Sequence, residues 1–338
     1  LFTEDGVPYE PGVFYCKDAF EGLATIDAYL DTQRRPALLE QLFADAGREM
    51  GREMMAKPAT PQRVRSAILP APLAVPNGFV WGPRVVRQMP LEIVFQHIAK
   101  NELFRLSWGA KNAHGEEWER LQAEFEGRLE RMTRQARRES WLKPQAVYGY
   151  WPCQADGDSL LLYDFDLSVP NQNHTIASFK FPRQPAGERL CLADYFAPIE
   201  SGQMDVVALQ VVTVGQEATE RFDRLQAVGD YSDAYYLHGL AVQSAEATAE
   251  YLHRHIRREL GLPEGQGKRY SWGYPAIPDL DDHRVVFDLL PAESVLGMSL
   301  TSAYQLVPEQ STAAIVLHHP QARYFSLGES RVEQLMKE

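Results

Sequence analysis

Residues 146–166 read AVYGYWPCQADGDSLLLYDFD. Two apolar runs, AVYGYWPC (146–153) and SLLLYDFD (159–166), flank QADGD, whose Asp-Gly pair is the residue choice of a tight turn. The stretch predicts a β-hairpin, and with it antiparallel pairing. Outward from the hairpin, HTIASFKF (174–181) reads as another strand and MDVVALQVVTVG (204–215) as a central one. STAAIVLHH (311–319) and RYFSL (323–327) read as later strands.

Helical periods separate these strands in blocks rather than one by one. PLEIVFQHIAKNELF (90–104) predicts a short helix with proline in its first turn. Glu116 to Trp141 carries Trp118, Leu121, Phe125, Leu129 and Met132 at helical spacing, which predicts a long amphipathic helix. Residues 217–260 read as helical up to the stop signals Gly261 and Pro263, and 283–290 as a short helix. Strands and helices do not alternate, so the fold class is α+β: a largely antiparallel sheet with long flanking helices.

The first 78 residues have a different texture. GVFYC (12–16) predicts a strand, a helix starts near Asp18, and a second runs from Pro36 to about Met55. Five prolines between Lys57 and Phe79 then predict an extended, semi-rigid linker over 57–78. The chain is thus expected to comprise a β–α remnant over 1–56, the linker, and a domain over 79–338. Opening on Leu1 rather than methionine, it reads as a piece of a longer polypeptide.

A formal charge of −12 over 338 residues argues against nucleic acid or an anionic membrane as main partner. Three well-separated cysteines (Cys16, Cys153, Cys191) form no CxxC, which argues against disulfides or zinc and fits a cytoplasmic protein. No apolar run reaches membrane-spanning length. The adjacent His318 and His319 point to opposite faces of a strand and cannot share a metal; a turn-capping role suits them. Neither a phosphate-cradling glycine loop, nor GxSxG, nor HExxH is present.

Two features carry candidate chemistry. Glu246 and Glu250 lie one helical turn apart among the small residues Ala245, Ala247, Thr248 and Ala249. They are either a solvated face or a carboxylate wall that something cationic can approach closely. GKRYSWGYPAIPD (267–279) is either a packed surface loop or a stiff clamp. In the second case Arg269 suits a carboxylate, Gly273 allows positive φ or close approach, and Tyr274 and Trp272 offer flat faces. An arginine for a carboxylate plus a nearby glutamate describes an amino-acid-like ligand.

RYSWGYP (269–275) fits RxxxGYP, and the chain here resembles the S-adenosylmethionine-binding activation domain of cobalamin-dependent methionine synthases. FVWGPRVV, LADYFAP, DVVALQVVTVG, GDYSDAYYLHGLAVQSAEATAEYLHRHIRREL, GMSLTSAYQLVP and HHPQARYFSLG are similar to the family's blocks in the same order, covering about 75–335. VFYCKDAFEGL (13–23) resembles the end of that family's cobalamin-binding domain. The resemblance implies that Arg269 holds the ligand carboxylate. Ser271, Gly273 and Tyr274 belong to the same loop, Glu246 lies near the ligand, and Tyr324 contributes a later tyrosine. An early family aspartate falls on Lys100 in AKNELFRLSW; lysine accepts no hydrogen bond, so either Glu102 takes the role in a shifted register or affinity is altered.

No catalytic side chain and no metal ligand is expected. The implied function is to present the methyl of S-adenosylmethionine to cobalamin, so that inactive cob(II)alamin is reductively methylated. Cobalamin would be held mainly by an upstream domain, and zinc only in a separate homocysteine module. The implied partners are the cobalamin-binding domain of the same polypeptide and flavodoxin or another reductase, acting on a monomer. The alternative is a non-catalytic S-adenosylmethionine-binding or docking module. A self-sufficient methyltransferase is disfavoured by the missing Rossmann glycine turn.

Overall fold

The computed structural model describes residue 14 and residues 19–44, 65–75, 78–164 and 174–327. It divides into two compact units, Leu1–Arg63 and Val64–Glu338. In the first, α1 spans Ala19–Leu30 and residues 35–44 form a second helix, α2. Asp31 starts that second helix by accepting hydrogen bonds from the backbone N–H groups of Gln33 (2.8 Å) and Arg34 (3.3 Å). Apart from residue 14, the strand expected over 12–16 lies outside the described residues, as do the helix beyond 44 and the linker up to residue 64.

The second unit is built on one antiparallel sheet. Its strands are β1 (Gly82–Val86), β2 (Gln145–Asp156), β3 (Ser159–Tyr163), β4 (Thr175–Lys180), β5 (Asp205–Thr213), β6 (Lys268–Ser271) and, after a small ribbon of β7 (Ser299–Leu300) and β8 (Leu306–Val307), β9 (Ser311–Leu317). The spatial order is β4-β3-β2-β5-β9-β6, with β1 beside the first half of β2. The β2–β3 hairpin is tighter than the QADGD stretch suggested: pairing continues to Asp156 opposite Ser159, and Gly157 turns with φ of 59°. β5 is fully buried and lies between β2 and β9, as the central strand was expected to.

Three short helical pieces, α3 (Leu91–Phe95), α4 (Lys100–Glu102) and a π-helical turn over Leu103–Ser107, replace the single helix expected at 90–104. The long amphipathic helix is α5 (Gly115–Glu139), ended by Ser140 in the left-handed region. The helical block at 217–260 is two helices, α6 (Gln216–Ala227) and α7 (Tyr231–Glu259). Gly229, at φ of 78°, breaks it, and Asp230 caps the restart through the Asp233 N–H. α8 (His283–Leu289) and α9 (Ala292–Leu296) complete the unit.

α7 crosses one face of the sheet. Its Ala247, Ala249, Leu252 and Ile256 share a core with Ala146, Ala208, Val212 and Val316 from the strands. The small residues around Glu246 therefore let the helix backbone settle on the sheet, rather than keep space free for a ligand. The opposite face buries Trp151, Leu209, Tyr270, Trp272 and Ile315. Period-two alternation places Tyr270 and Trp272 there and turns Arg269 and Ser271 toward α7.

The segment 65–75 belongs to the second unit. Arg65 and the Ser66 N–H bond to Asp194, and the Leu73 N–H bonds to Asp205 (3.1 Å). Residues 323–327, expected as a strand, are coil. Side chains hold this backbone instead of a ladder: the Tyr270 hydroxyl donates to the Arg323 carbonyl (2.7 Å) and Gln184 Nε2 to the Ser326 carbonyl (2.6 Å). His318 and His319 do diverge. The first lies 2.7 Å from Asp205 Oδ1, and the second accepts from the Gln321 N–H (3.0 Å), capping a turn.

Candidate functional site

Where α7 passes the edge strand β6, a cleft of about 670 Å³ opens. Among the residues lining it are Glu246, Arg269, Ser271, Tyr274, Tyr324 and Glu102. α7 supplies the glutamate, β6 the arginine and serine, the turn after β6 Tyr274, and the coil after β9 Tyr324. Six of the side chains singled out in sequence thus lie on one cavity, Gly273 supports it from behind, and Trp272, Glu250 and Lys100 lie off it.

Arg269 Nη2 donates to Glu246 Oε2 at 2.6 Å, with the side chains 16% and 35% exposed. An arginine half withdrawn from water keeps its remaining N–H donors available to a second acceptor. Register explains the placement: Arg269 pairs with Val316, whose side chain faces α7, whereas Tyr270 pairs with Ile315 on the far face. Ser271 Oγ is 3.3 Å from Thr312 Oγ1.

Gly273 has φ of 83°, and an added Cβ would stand 3.1 Å from Leu280. Its N–H donates to the Ile277 carbonyl (2.8 Å), and the Ile277 N–H donates to the Tyr274 carbonyl (2.9 Å). The GYPAI turn is therefore closed on itself, and it holds Tyr274 outward, 59% exposed. Trp272, expected to offer a flat face, does not: it is buried against Phe179 and His283, with Nε1 3.4 Å from Asp282 Oδ2.

Glu250 is engaged elsewhere. Burial would raise its carboxyl, but hydrogen bonds with His253 and Arg254 outweigh that and hold it at about 2. Burial also pushes the Tyr270 phenol up, so its hydroxyl keeps the proton it donates under the Tyr324 strap. Lys100 turns away from the cleft to pair with Glu126 at 2.8 Å, while Glu102, two residues on, lines it. Of the alternatives for the early acidic position, the geometry offers the cleft Glu102.

Sequence reasoning missed Gln243, Phe325 and Ala276, which also line the cavity. Gln243 was findable as the residue one turn before Glu246 on the same helix. Among the described residues no group of three or more His, Cys, Asp or Glu side chains could hold a metal, and no helix is long and apolar enough to cross a membrane.

Taken together, the geometry defines an α+β module: an antiparallel sheet backed by a long helix, with a charged cleft at the edge strand. The family model for the activation domain of vitamin B12 dependent methionine synthase matches residues 110–337, and the chain belongs to that family. Methionine synthases from Mycobacterium tuberculosis (strain ATCC 25618 / H37Rv) and Mycobacterium leprae (strain TN) are each 32% identical to it, over 94% of this chain. The chain spans only 30% of the length of these relatives. A crystal structure of the MetH reactivation domain bound to AdoHcy matches with a TM-score of 0.67 and 25% identity, over 80% of this chain and 88% of that one.

Proposed function

We propose that the cleft binds S-adenosylmethionine and that, within a longer methionine synthase, this chain presents the ligand's methyl group for reductive methylation of inactive cob(II)alamin. The observation that carries the reading is the half-buried Arg269–Glu246 pair on one wall of a cleft about 670 Å³ in volume. The donor set suits the ligand. Arg269 has further N–H groups for a carboxylate, Glu246 and Glu102 are acceptors for an ammonium, and Tyr274 and Tyr324 give the rim aromatic faces. The volume falls in the range of small-molecule sites, about 300–1,000 Å³. The AdoHcy carried by the related reactivation domain supports the same ligand class.

S-adenosylmethionine brings an activated sulfonium methyl, so the protein's work is placement. Arg269 fixes the carboxylate end, the closed GYPAI turn holds Tyr274, and the bonded strap holds Tyr324. No side chain in the cleft needs to move a proton. Cobalamin binding is assigned in this reading mainly to other parts of a longer methionine synthase; this chain spans 30% of the length of such relatives. Flavodoxin or another reductase would supply the electron.

Calorimetric titration of S-adenosylmethionine into the wild type and Arg269→Ala tests the assignment. A loss of about tenfold or more in the variant is expected, and equal affinities would remove the carboxylate role. The exposed Tyr274 and Tyr324, 59% and 67% accessible, favour a second reading, a non-catalytic docking module. Absence of binding by either protein would select it. So would failure to regenerate methylcobalamin with a cobalamin-binding domain and a reductant supplied in trans, once ligand binding is established.

A further inference from the structure

Leu69 turns its side chain to water, 79% exposed, yet its backbone carbonyl is held: it lies 3.0 Å from His319 Nε2. The imidazole is buried, and its other nitrogen, Nδ1, accepts from the Gln321 N–H at 3.0 Å. A neutral ring that accepts at Nδ1 carries its proton on Nε2, so Nε2 donates to Leu69. The two bonds together admit one tautomer. The ring also lies against Tyr195, centroids 5.3 Å apart, which limits its rotation.

These two bonds lead to different parts of the molecule. Leu69 belongs to the segment 65–75, which begins just past Arg63, where the first unit ends. The segment forms neither helix nor strand. Beyond the packing of Ile68 on the core, it is attached through Arg65 and the Ser66 N–H to Asp194 and through the Leu73 N–H to Asp205. His319 supplies the attachment between those two. Gln321 belongs to the turn 319–322, which the Ala322 N–H also closes on the His319 carbonyl (3.1 Å). That turn runs straight into Arg323, whose carbonyl accepts from Tyr270, and into Tyr324 on the cleft.

One buried ring therefore serves both sides. Release of Leu69 would leave a buried N–H without its acceptor, and the ring could recover a partner only by turning away from Gln321. Opening of the 319–322 turn would in the same way free the ring from the orientation that Leu69 needs.

We propose that His319 is a positioning residue that ties the seating of segment 65–75 to the Tyr324 side of the cleft, so that bound ligand and the seated segment favour each other. This rests on the reading of the cleft as an S-adenosylmethionine site. Its consequence is that the stretch by which the chain enters the sheet unit regulates ligand affinity. A pull from upstream that unseats the segment weakens the ligand, and the ligand resists that pull by the same factor.

The test combines calorimetry with S-adenosylhomocysteine and hydrogen exchange with and without it, on the full 338-residue chain. In the wild type the ligand should slow exchange over 65–75 about fivefold or more, beyond any slowing in β4 at the other edge of the sheet. His319→Asn carries its amide near the Nδ1 position, so it keeps an acceptor for Gln321 and loses the donor to Leu69. In it the ligand-dependent slowing over 65–75 should vanish and affinity should fall about fivefold. Arg65→Gln loosens the same segment without touching the ring or the turn, and it should weaken the ligand about twofold or more.

Exchange over 65–75 that ignores the ligand in the wild type would overturn the proposal and leave the cleft reading intact. A loss of affinity in His319→Asn with none in Arg65→Gln would also overturn it, reducing His319 to a local cap. Should His319→Asn fail to fold, the wild-type exchange and Arg65→Gln decide between the same outcomes. A wild type that does not bind S-adenosylhomocysteine would overturn the cleft reading, and this proposal with it.

Discussion

Asp194, in the LADYFAP block, is the point at which the unit should be most easily broken by one atom. Its carboxylate has no exposed surface. It accepts from Arg183 Nη1 (2.6 Å) and Nη2 (2.9 Å), Arg65 Nε (3.1 Å) and the Ser66 N–H (3.2 Å). Asp194→Asn preserves the volume, but its NH₂ must face a guanidinium or backbone donor, and the two arginines lose their shared counter-charge. Removing one partner of a buried pair costs about 3–5 kcal/mol. Arg65 is 34% exposed and Arg183 keeps Asp158 at 2.8 Å, so the low end applies, about 3 kcal/mol.

For a unit of this size that corresponds to a fall in Tm of roughly 5–10 °C, readable by calorimetry at pH 7. The pH dependence sharpens the test. Burial alone would raise the Asp194 carboxyl, but the hydrogen bonds from Arg183 and Ser66 outweigh it and hold the folded value below the ordinary range. A depressed carboxylate contributes its full stability above the unfolded pKa, about 4, and loses it as pH falls through the folded value. The gap between wild type and Asp194→Asn should therefore be constant from pH 8 to about 5 and narrow below about 4. A Tm change under about 1 °C at pH 7, or a gap that widens on acidification, would refute the reasoning.

Lys100→Ala should leave affinity for S-adenosylhomocysteine within about twofold, whereas Glu102→Gln should lower it several-fold; the reverse order in a titration would show that the acidic position was misassigned. Gly273→Ala places a side chain at φ of 83° and 3.1 Å from Leu280, so we expect a loss of about 1–2 kcal/mol in urea unfolding together with weaker ligand binding. Tyr270→Phe removes the donor to the Arg323 carbonyl and should cost about 1 kcal/mol. It should also raise hydrogen exchange over 322–326, and unchanged exchange there would show that the strap is held by other contacts.

The parts of the fold that could be read in sequence were those governed by local period. The Asp-Gly turn gave the antiparallel hairpin, and the buried run at 205–213 gave the central strand, because each signal lies within a dozen residues. What could not be read depends on partners far along the chain. RYFSL has the composition of a strand, yet its carbonyls are taken by Tyr270 and Gln184, whose proximity only the finished fold creates. Trp272 looked available because it sits in a motif, but alternation from Arg269 sends it into the core. The alanines around Glu246 had two physical uses, ligand access and close helix–sheet packing, and composition does not distinguish them. Arg269, Tyr274 and Glu246 were legible in residue type, whereas Ser271, Tyr324 and Glu102 came only from the family resemblance. The side-chain carbonyl of Gln243, unpaired among the described residues, was not legible, because satisfaction is a property of neighbours in space.

The Arg269–Glu246 pair also constrains how the cleft can discriminate. The two charges already neutralise each other at 2.6 Å, so a ligand bearing only a carboxylate must compete with Glu246 for the guanidinium. It would leave the glutamate less well paired in a partly dry site. A ligand bearing only an ammonium meets the converse penalty at Arg269. A zwitterion supplies both replacements at once, so the charge balance of the wall is unchanged while each side chain gains a partner. On this argument removing either charge from the ligand should cost more affinity than the lost contact alone. Glu246→Gln, by freeing Arg269, should weaken zwitterion binding while partly relieving the penalty on a simple carboxylate. An equal loss for both ligand types in that variant would show that Glu246 does not compete for Arg269 in the bound state.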